Sequence, residues 1–143
     1  MKKLIEKFVM KNSQMVISED DEFTGEDSDP KTIYLIGNVE SFQSLMHIMT
    51  VSLNMLVDKI NISQLPFIQN KLNKQFLINI DYENEDTSTG PLIDSGDKIT
   101  WYLNGITAGI VATTIHGLGY AYKTYDFIPD DNESTHVIDC LLV

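Results

Sequence analysis

Arginine is absent from this chain of 143 residues, and all ten of its basic residues are lysines. Arginine is the usual residue for bidentate contacts to phosphate and for contacts to base edges. Its absence, together with 21 acidic residues and a pI near 4.4, argues against direct binding of nucleic acid or an anionic membrane. Both of those partners require a positively charged surface. A coding bias toward lysine would also explain the missing arginine, but the physical consequence is the same.

Cysteine is nearly absent as well, because Cys140 is the only one. The chain therefore forms no intramolecular disulfide, which is typical of a reducing compartment. Charged residues interrupt the apolar N-terminal stretch where a secretory signal would be unbroken, so we expect a cytoplasmic protein. Cys140 lies in the apolar run 137–143, where a free cysteine is usually a buried small hydrophobic residue.

Signatures of metal and cofactor sites are missing too. The three histidines have no i, i+4 spacing and no Cys-x-x-Cys beside them, so the sequence has no zinc motif. Calcium loops built around Gly25 or Gly90 lack the glutamate required at position twelve. The sequence therefore predicts no metal and no cofactor. A pair formed in space by His116 and Cys140 would instead define a small enzyme or ligand-binding domain, and this is the alternative hypothesis.

What the sequence does contain is an apolar fraction of 43%, enough for one folded domain over residues 1–143. The predicted class is α+β, with a mostly antiparallel sheet of about four to five strands packed against two main helices. No internal repeat is visible. The predicted strands are 14–18, 32–36, 76–80, 120–127 and 135–142, and the predicted helices are a short one before residue 14, then 39–60, 64–74 and 98–116.

The two longest predicted helices differ in character. Helix 39–60 is amphipathic, with Asn38 as its N-cap. Segment 98–116 is almost uncharged and contains glycines and alanines at four-residue spacing, which is typical of closely packed helices. We favour a buried helix there over a membrane span, since Asn104 and several threonines interrupt the segment. The dipeptide Asn104-Gly105 is also that of a hairpin turn, which would divide it.

Negative charge is concentrated in three predicted loops, of which the first is an exposed acidic loop at 19–31. Residues 1–11 hold four lysines and one acid, and the remainder carries a net charge of −14. Clustered carboxylates speed encounter with a basic partner, although an acidic surface also serves solubility alone. Exposed tyrosines beside carboxylates are good contact residues. The candidate partner-binding residues are Glu19, Asp20, Asp21, Glu22, Glu26, Asp27, Asp29, Asp81, Glu83, Glu85, Asp86, Tyr122, Asp130, Asp131 and Glu133.

These patterns lead to a hypothesis about function. We expect a non-enzymatic acidic protein that masks a basic protein partner, as immunity proteins, antitoxins and inhibitors of toxins or nucleases do. This is an argument by class, since no motif is specific to one such family. A third hypothesis is a structural subunit that forms a homodimer through the helix that bears Met46, Met49 and Met55 or through the close-packing helix, although most such stripes are core.

Overall fold

The structure is a computed structural model that describes residues 7–19, 31–86, 90–129 and 134–143. The acidic segments 20–29 and 130–133, and the part of the short helix predicted before residue 14 that precedes residue 7, lie outside the described residues. In chain order the elements are β1 (Met15–Glu19), β2 (Lys31–Gly37), α1 (Val39–Asn54), β3 (Lys59–Asn61), a 3₁₀ turn (Ile62–Gln64), β4 (Ile68–Asn70), β5 (Gln75–Asp81), β6 (Leu92–Asp94), β7 (Lys98–Asn104), α2 (Gly105–His116), β8 (Thr124–Phe127) and β9 (His136–Leu142).

These strands form two mixed sheets. The five-stranded sheet has the order β4-β1-β2-β9-β8, and the four-stranded sheet has the order β3-β5-β7-β6. Pairs β1/β4, β2/β9 and β5/β7 are parallel, and the other four pairs are antiparallel. The α+β class with two main helices is confirmed. The strands are divided between two mixed sheets, however, rather than gathered in one mostly antiparallel sheet.

The same structural unit occurs twice along the chain. In each unit an antiparallel strand pair precedes a helix and a second antiparallel pair follows it, as β1-β2-α1-β3-β5 and then β6-β7-α2-β8-β9. Strand β4 is an addition to the first unit. The units interleave, because β2 pairs with β9 and β5 pairs with β7, so each sheet contains strands from both. The repeat is one of topology, and hydrophobic patterning alone did not reveal it.

Both helices begin at an asparagine that directly follows a core strand or ends it. The side chain of Asn38 accepts a hydrogen bond from Ser41 N at 3.0 Å, which confirms the predicted N-cap. Asn104 accepts from Thr107 N at 2.8 Å in the same way. Each cap satisfies a backbone donor that the first helical turn leaves without a partner. The equivalent caps place the two helices at equivalent points of the two units.

Three of the predicted helices are wrong in part or whole, and two of them lie between residues 39 and 74. Helix α1 ends at Asn54 rather than at residue 60, because Leu56 takes a positive φ of 54° and Lys59–Asn61 pairs with β5. The helix predicted at 64–74 is absent, and that stretch holds part of the 3₁₀ turn and β4. In both places the apolar residues belong to short strands that contact the core. The spacing of apolar residues within one short segment does not distinguish such a strand from a helix.

The prediction for segment 98–116 is wrong over its first half. Lys98–Asn104 is strand β7, between β5 and β6, and only Gly105–His116 is helical. The chain does divide at Asn104-Gly105, but into a strand and a helix, without a hairpin turn. The β-branched and aromatic residues of the first half favour a strand, and sheet pairing realises that preference.

The other predicted strands are found close to their expected bounds. Four of them are confirmed as β1, β2, β5 and β9, and the hairpin of β8 and β9 is confirmed by its antiparallel pairing. The strand predicted at 120–127 is shorter, since β8 begins at Thr124. The loop predicted before residue 96 contains the short strand β6.

One hydrophobic cluster joins both sheets and both helices. Trp101 of β7 is 2% exposed and meets Phe127 of β8 edge-on, with ring centroids 5.3 Å apart. The sheets also meet where Thr135 N donates to Leu92 O at 2.8 Å. Met49, one of the residues of the proposed dimer stripe, is fully buried in this core.

Candidate functional site

An acidic turn follows β5 and is the one predicted carboxylate cluster that lies wholly within the described residues. Asp81, Glu83, Glu85 and Asp86 are all exposed. The turn is internally ordered, because Asp81 Oδ1 accepts from Glu83 N at 3.0 Å and Asn84 Oδ1 accepts from Asp86 N at 2.9 Å. Such side-chain-to-backbone bonds are typical of Asx turns. We call residues 81–86 the acidic turn.

Tyr82 fixes this turn to both helices. Its hydroxyl donates to Val57 O at 2.6 Å and lies 3.3 Å from Ser52 O, near the C-terminal end of α1. Its ring also borders α2, since a Cβ on Gly105 would lie 3.3 Å from Tyr82 Cδ1. Burial, and then the charge of Asp58, raise the pKa of the Tyr82 phenol, so it stays a donor at neutral pH.

A second bond holds the far end of the turn. The side-chain amide of Asn104 donates to the backbone carbonyl of Asp86. The residue that caps α2 therefore also anchors the last residue of the acidic turn. Together with Tyr82, this places the four carboxylates beside the point where α1 ends and α2 begins.

Glu19, the described member of the first acidic cluster, lies in β1 rather than in an exposed loop. Its side chain is 13% exposed, lies 3.4 Å from Lys31 Nζ and lies 3.3 Å from His136 Nε2. Burial lowers the pKa of His136 and outweighs the raising effect of Glu19. Burial therefore favours the neutral form of the imidazole. Nδ1 lies 2.8 Å from the Thr135 hydroxyl oxygen, which itself donates to Leu92 O, and Nε2 lies within hydrogen-bond distance of Glu19 Oε2.

Tyr122 is partly buried and packs against the core. Its hydroxyl donates to the carbonyl of Thr114 in α2, and its ring lies 5.5 Å from the ring of Tyr125. Burial raises its pKa, followed by the charges of Tyr125 and Cys140. The Tyr122 hydroxyl is thus used within the fold, and the structure does not bring it to the acidic turn.

Two carboxylates that the sequence analysis did not single out lie side by side in the β8/β9 hairpin. Asp126 and Asp139 are register partners, and Asp139 Oδ1 has no hydrogen-bond partner among the described residues. Burial, followed by a hydrogen bond that protonated Asp139 donates to Asp126 and by the charge of Asp126, raises the pKa of Asp139 to about 6. The hairpin register is the signal that would have revealed this pair, since like charges directly opposite each other are unfavourable.

His116 and Cys140, the residues of the alternative hypothesis, have different surroundings. Cys140 is completely buried in β9, and burial raises the pKa of its thiol, so the thiolate nucleophile is disfavoured. His116 Nδ1 lies 2.7 Å from Gln43 Oε1, and its ring stacks near Tyr120 with centroids 5.5 Å apart.

The outer face of the four-stranded sheet carries a shallow depression of about 280 Å³. Lys59, Lys98, Asn79, Thr100 and Tyr102 contribute to its lining. Within the described ranges, no group of three or more histidine, cysteine, aspartate or glutamate side chains is placed to hold a metal ion. Among those residues, no helix has both the length and the apolarity required to cross a membrane.

Comparison with protein-family models, curated proteins and solved structures found no match to this chain.

Proposed function

We propose that this protein is a non-enzymatic acidic binding protein that masks a basic surface on a protein partner. The observation that supports this proposal is the acidic turn, whose backbone carries four exposed carboxylates and is anchored by Tyr82 and Asn104. An anchored backbone loses little conformational freedom on binding, so more of the electrostatic attraction is retained.

The charge of the whole chain supports the same role. A net charge of −11 on 143 residues creates a negative field that attracts a basic protein and repels acidic ones. Carboxylates at an interface rim mainly raise the association rate and specificity. Immunity proteins, antitoxins and inhibitors of toxins or nucleases are the classes that fit, and a single cysteine suits action in the cytoplasm.

The experiment compares two variants of equal net charge. Glu83→Gln/Glu85→Gln removes two charges from the acidic turn and keeps its internal bonds at Asp81. The control, Glu40→Gln/Asp97→Asn, removes two charges elsewhere. Tagged protein of each form is used to capture partners from the source cells, and any basic protein retained is identified, purified and titrated against all three forms.

The proposal expects the turn variant to bind the purified partner several-fold more weakly than the control and to lose salt dependence. Rim charges act chiefly through screened attraction, so the difference should shrink as the ionic strength rises above about 0.5 M. Retention of only acidic or neutral proteins, insensitive to salt, would overturn the proposal.

A further inference from the structure

The two helices carry almost no charge, although the chain is strongly acidic. Across the 16 residues of α1 and the 12 residues of α2, Glu40 is the only aspartate, glutamate, lysine or arginine. Surface helices usually place charged residues on the face opposite the core. The solvent side of this helix layer therefore differs from the rest of the described surface.

Exposed aliphatic side chains are concentrated where α1 ends and α2 begins. Tyr82 joins the two helix ends there, as described above. Isolated exposed aliphatics are ordinary, but several at one place mark an interaction surface. We call these four residues the helix-end patch: Met55 (53% exposed), Leu56 (69%), Ile106 (45%) and Ile110 (53%).

Carboxylates border this patch. Asp58 follows it along the chain and is exposed, and the acidic turn lies against the start of α2 through the bond from Asn104. Lys59, the nearest lysine in sequence, instead lines the depression on the outer face of the sheet. An apolar centre with a charged rim is the usual composition of a protein interface.

Gly109 lies on the same exposed side of α2, between Ile106 and Ile110 in sequence. A Cβ at this position would meet nothing within 4 Å, so the fold itself does not require a glycine there. A glycine inside a helix is unfavourable relative to alanine. The missing side chain leaves room for a partner's backbone to approach the helix closely.

We propose that the helix-end patch is the docking surface for the basic partner, and that the partner presents an apolar ridge flanked by lysine or arginine. This inference rests on the proposed function. Charge complementarity selects this occupant, because a second copy of the chain would bring two rims of carboxylates against each other. The aliphatic side chains of the patch pack against the partner's apolar ridge. The carboxylates at the rim of the patch contact the partner's basic residues.

The test uses defined probes in place of the unidentified partner. The first probe is an amphipathic helical peptide of about 14 residues made of leucine and lysine. The second probe has the same lysines with serine in place of leucine. Binding of each is followed by amide chemical-shift mapping of the labelled full-length chain, at low and at high salt.

Two variants complete the design. Ile106→Gln/Ile110→Gln removes two anchors from the patch, and Ile128→Gln/Val143→Gln removes two still more exposed aliphatics elsewhere (68% and 82% exposed). Thermal unfolding verifies that both variants remain folded. Sedimentation of the wild-type chain at several concentrations determines whether the patch already joins two copies.

The proposal expects shifts at Leu56, Ile106, Gly109 and Ile110 with the leucine–lysine peptide. It also expects at least about tenfold weaker binding by the Ile106→Gln/Ile110→Gln variant and by the serine peptide, with the control unchanged. A footprint elsewhere, or self-association through the patch, would overturn this docking surface and leave the proposed function standing. Failure of both peptides to bind at low salt would count against the proposed function as well.

Discussion

Replacing Asp139 by asparagine should stabilise the protein at neutral pH, because it removes one of two carboxylates forced together in the β8/β9 hairpin. In the folded chain the pKa of Asp139 is raised to about 6 by burial and by Asp126, against 3.8 for an ordinary aspartate. The folded state therefore binds more protons than the unfolded state between these two values. Stability contributed by protonated Asp139 is lost as the pH rises through this window.

The size of the effect follows from the shift in pKa. About two units at about 1.4 kcal/mol each set an upper bound of about 3 kcal/mol. Asp126 is exposed and Asp139 only partly buried, so solvent screening should reduce the effect to about 1–2 kcal/mol. His136 acts in the opposite direction, because its lowered pKa favours folding above about pH 6.5 and that contribution is lost as the pH falls.

Urea unfolding at pH 4.5 and at pH 7.5 measures the effect, and the comparison of wild type with Asp139→Asn cancels the contribution of His136. The variant should gain about 1–2 kcal/mol relative to wild type between the two pH values. Asp97→Asn, on the exposed turn before β7, controls for the loss of one negative charge. An equal gain in both variants, or no gain in Asp139→Asn, would refute the argument from the carboxylate pair.

Three further substitutions test other parts of the structure. Gly109→Ala should raise the free energy of unfolding by about 1 kcal/mol, since its Cβ meets nothing in the chain, and an unchanged or lower urea midpoint would contradict this. Cys140→Ser should cost about 1–3 kcal/mol by burying a hydroxyl in β9, and the wild-type thiol should react with a disulfide reagent only as fast as the chain unfolds. Tyr82→Phe should cost about 1 kcal/mol by leaving Val57 O without its donor, and calorimetry that shows no loss would argue against the anchoring of the acidic turn.

The sequence predicted best those elements whose local preference and tertiary role agree. Strand β2 is rich in β-branched and aromatic residues, and Asn38 is a favourable N-cap whose side chain also bonds the backbone of Asn12 and Gln14, so both were found where expected. The helix predicted over 98–116 is wrong in its first half because the apolar residues of this segment suit either a helix or a strand. Pairing of β7 with β5 selects the strand, and β5 lies about twenty residues earlier in the chain.

The candidate site shows the same limit. The density of charge alone predicts that Asp81 and its neighbouring carboxylates are exposed, and in the structure they are exposed. Glu19 belongs to an equally acidic segment, yet it lies in β1 with its side chain beside His136, a residue more than a hundred positions later in the chain. The Asp126 and Asp139 pair likewise depends on hairpin register, which composition does not specify.

The interleaving of the two units has a consequence for synthesis on the ribosome. Strand β2 is made early but pairs with β9, so the five-stranded sheet stays incomplete until residues 136–142 have left the exit tunnel. At a rate of synthesis of about 5–20 residues per second, several seconds pass before the free edge of β2 can pair with β9. During that time a β-branched strand is available to other chains. We expect the nascent chain to depend on chaperones more than a protein in which each sheet is formed by one contiguous segment.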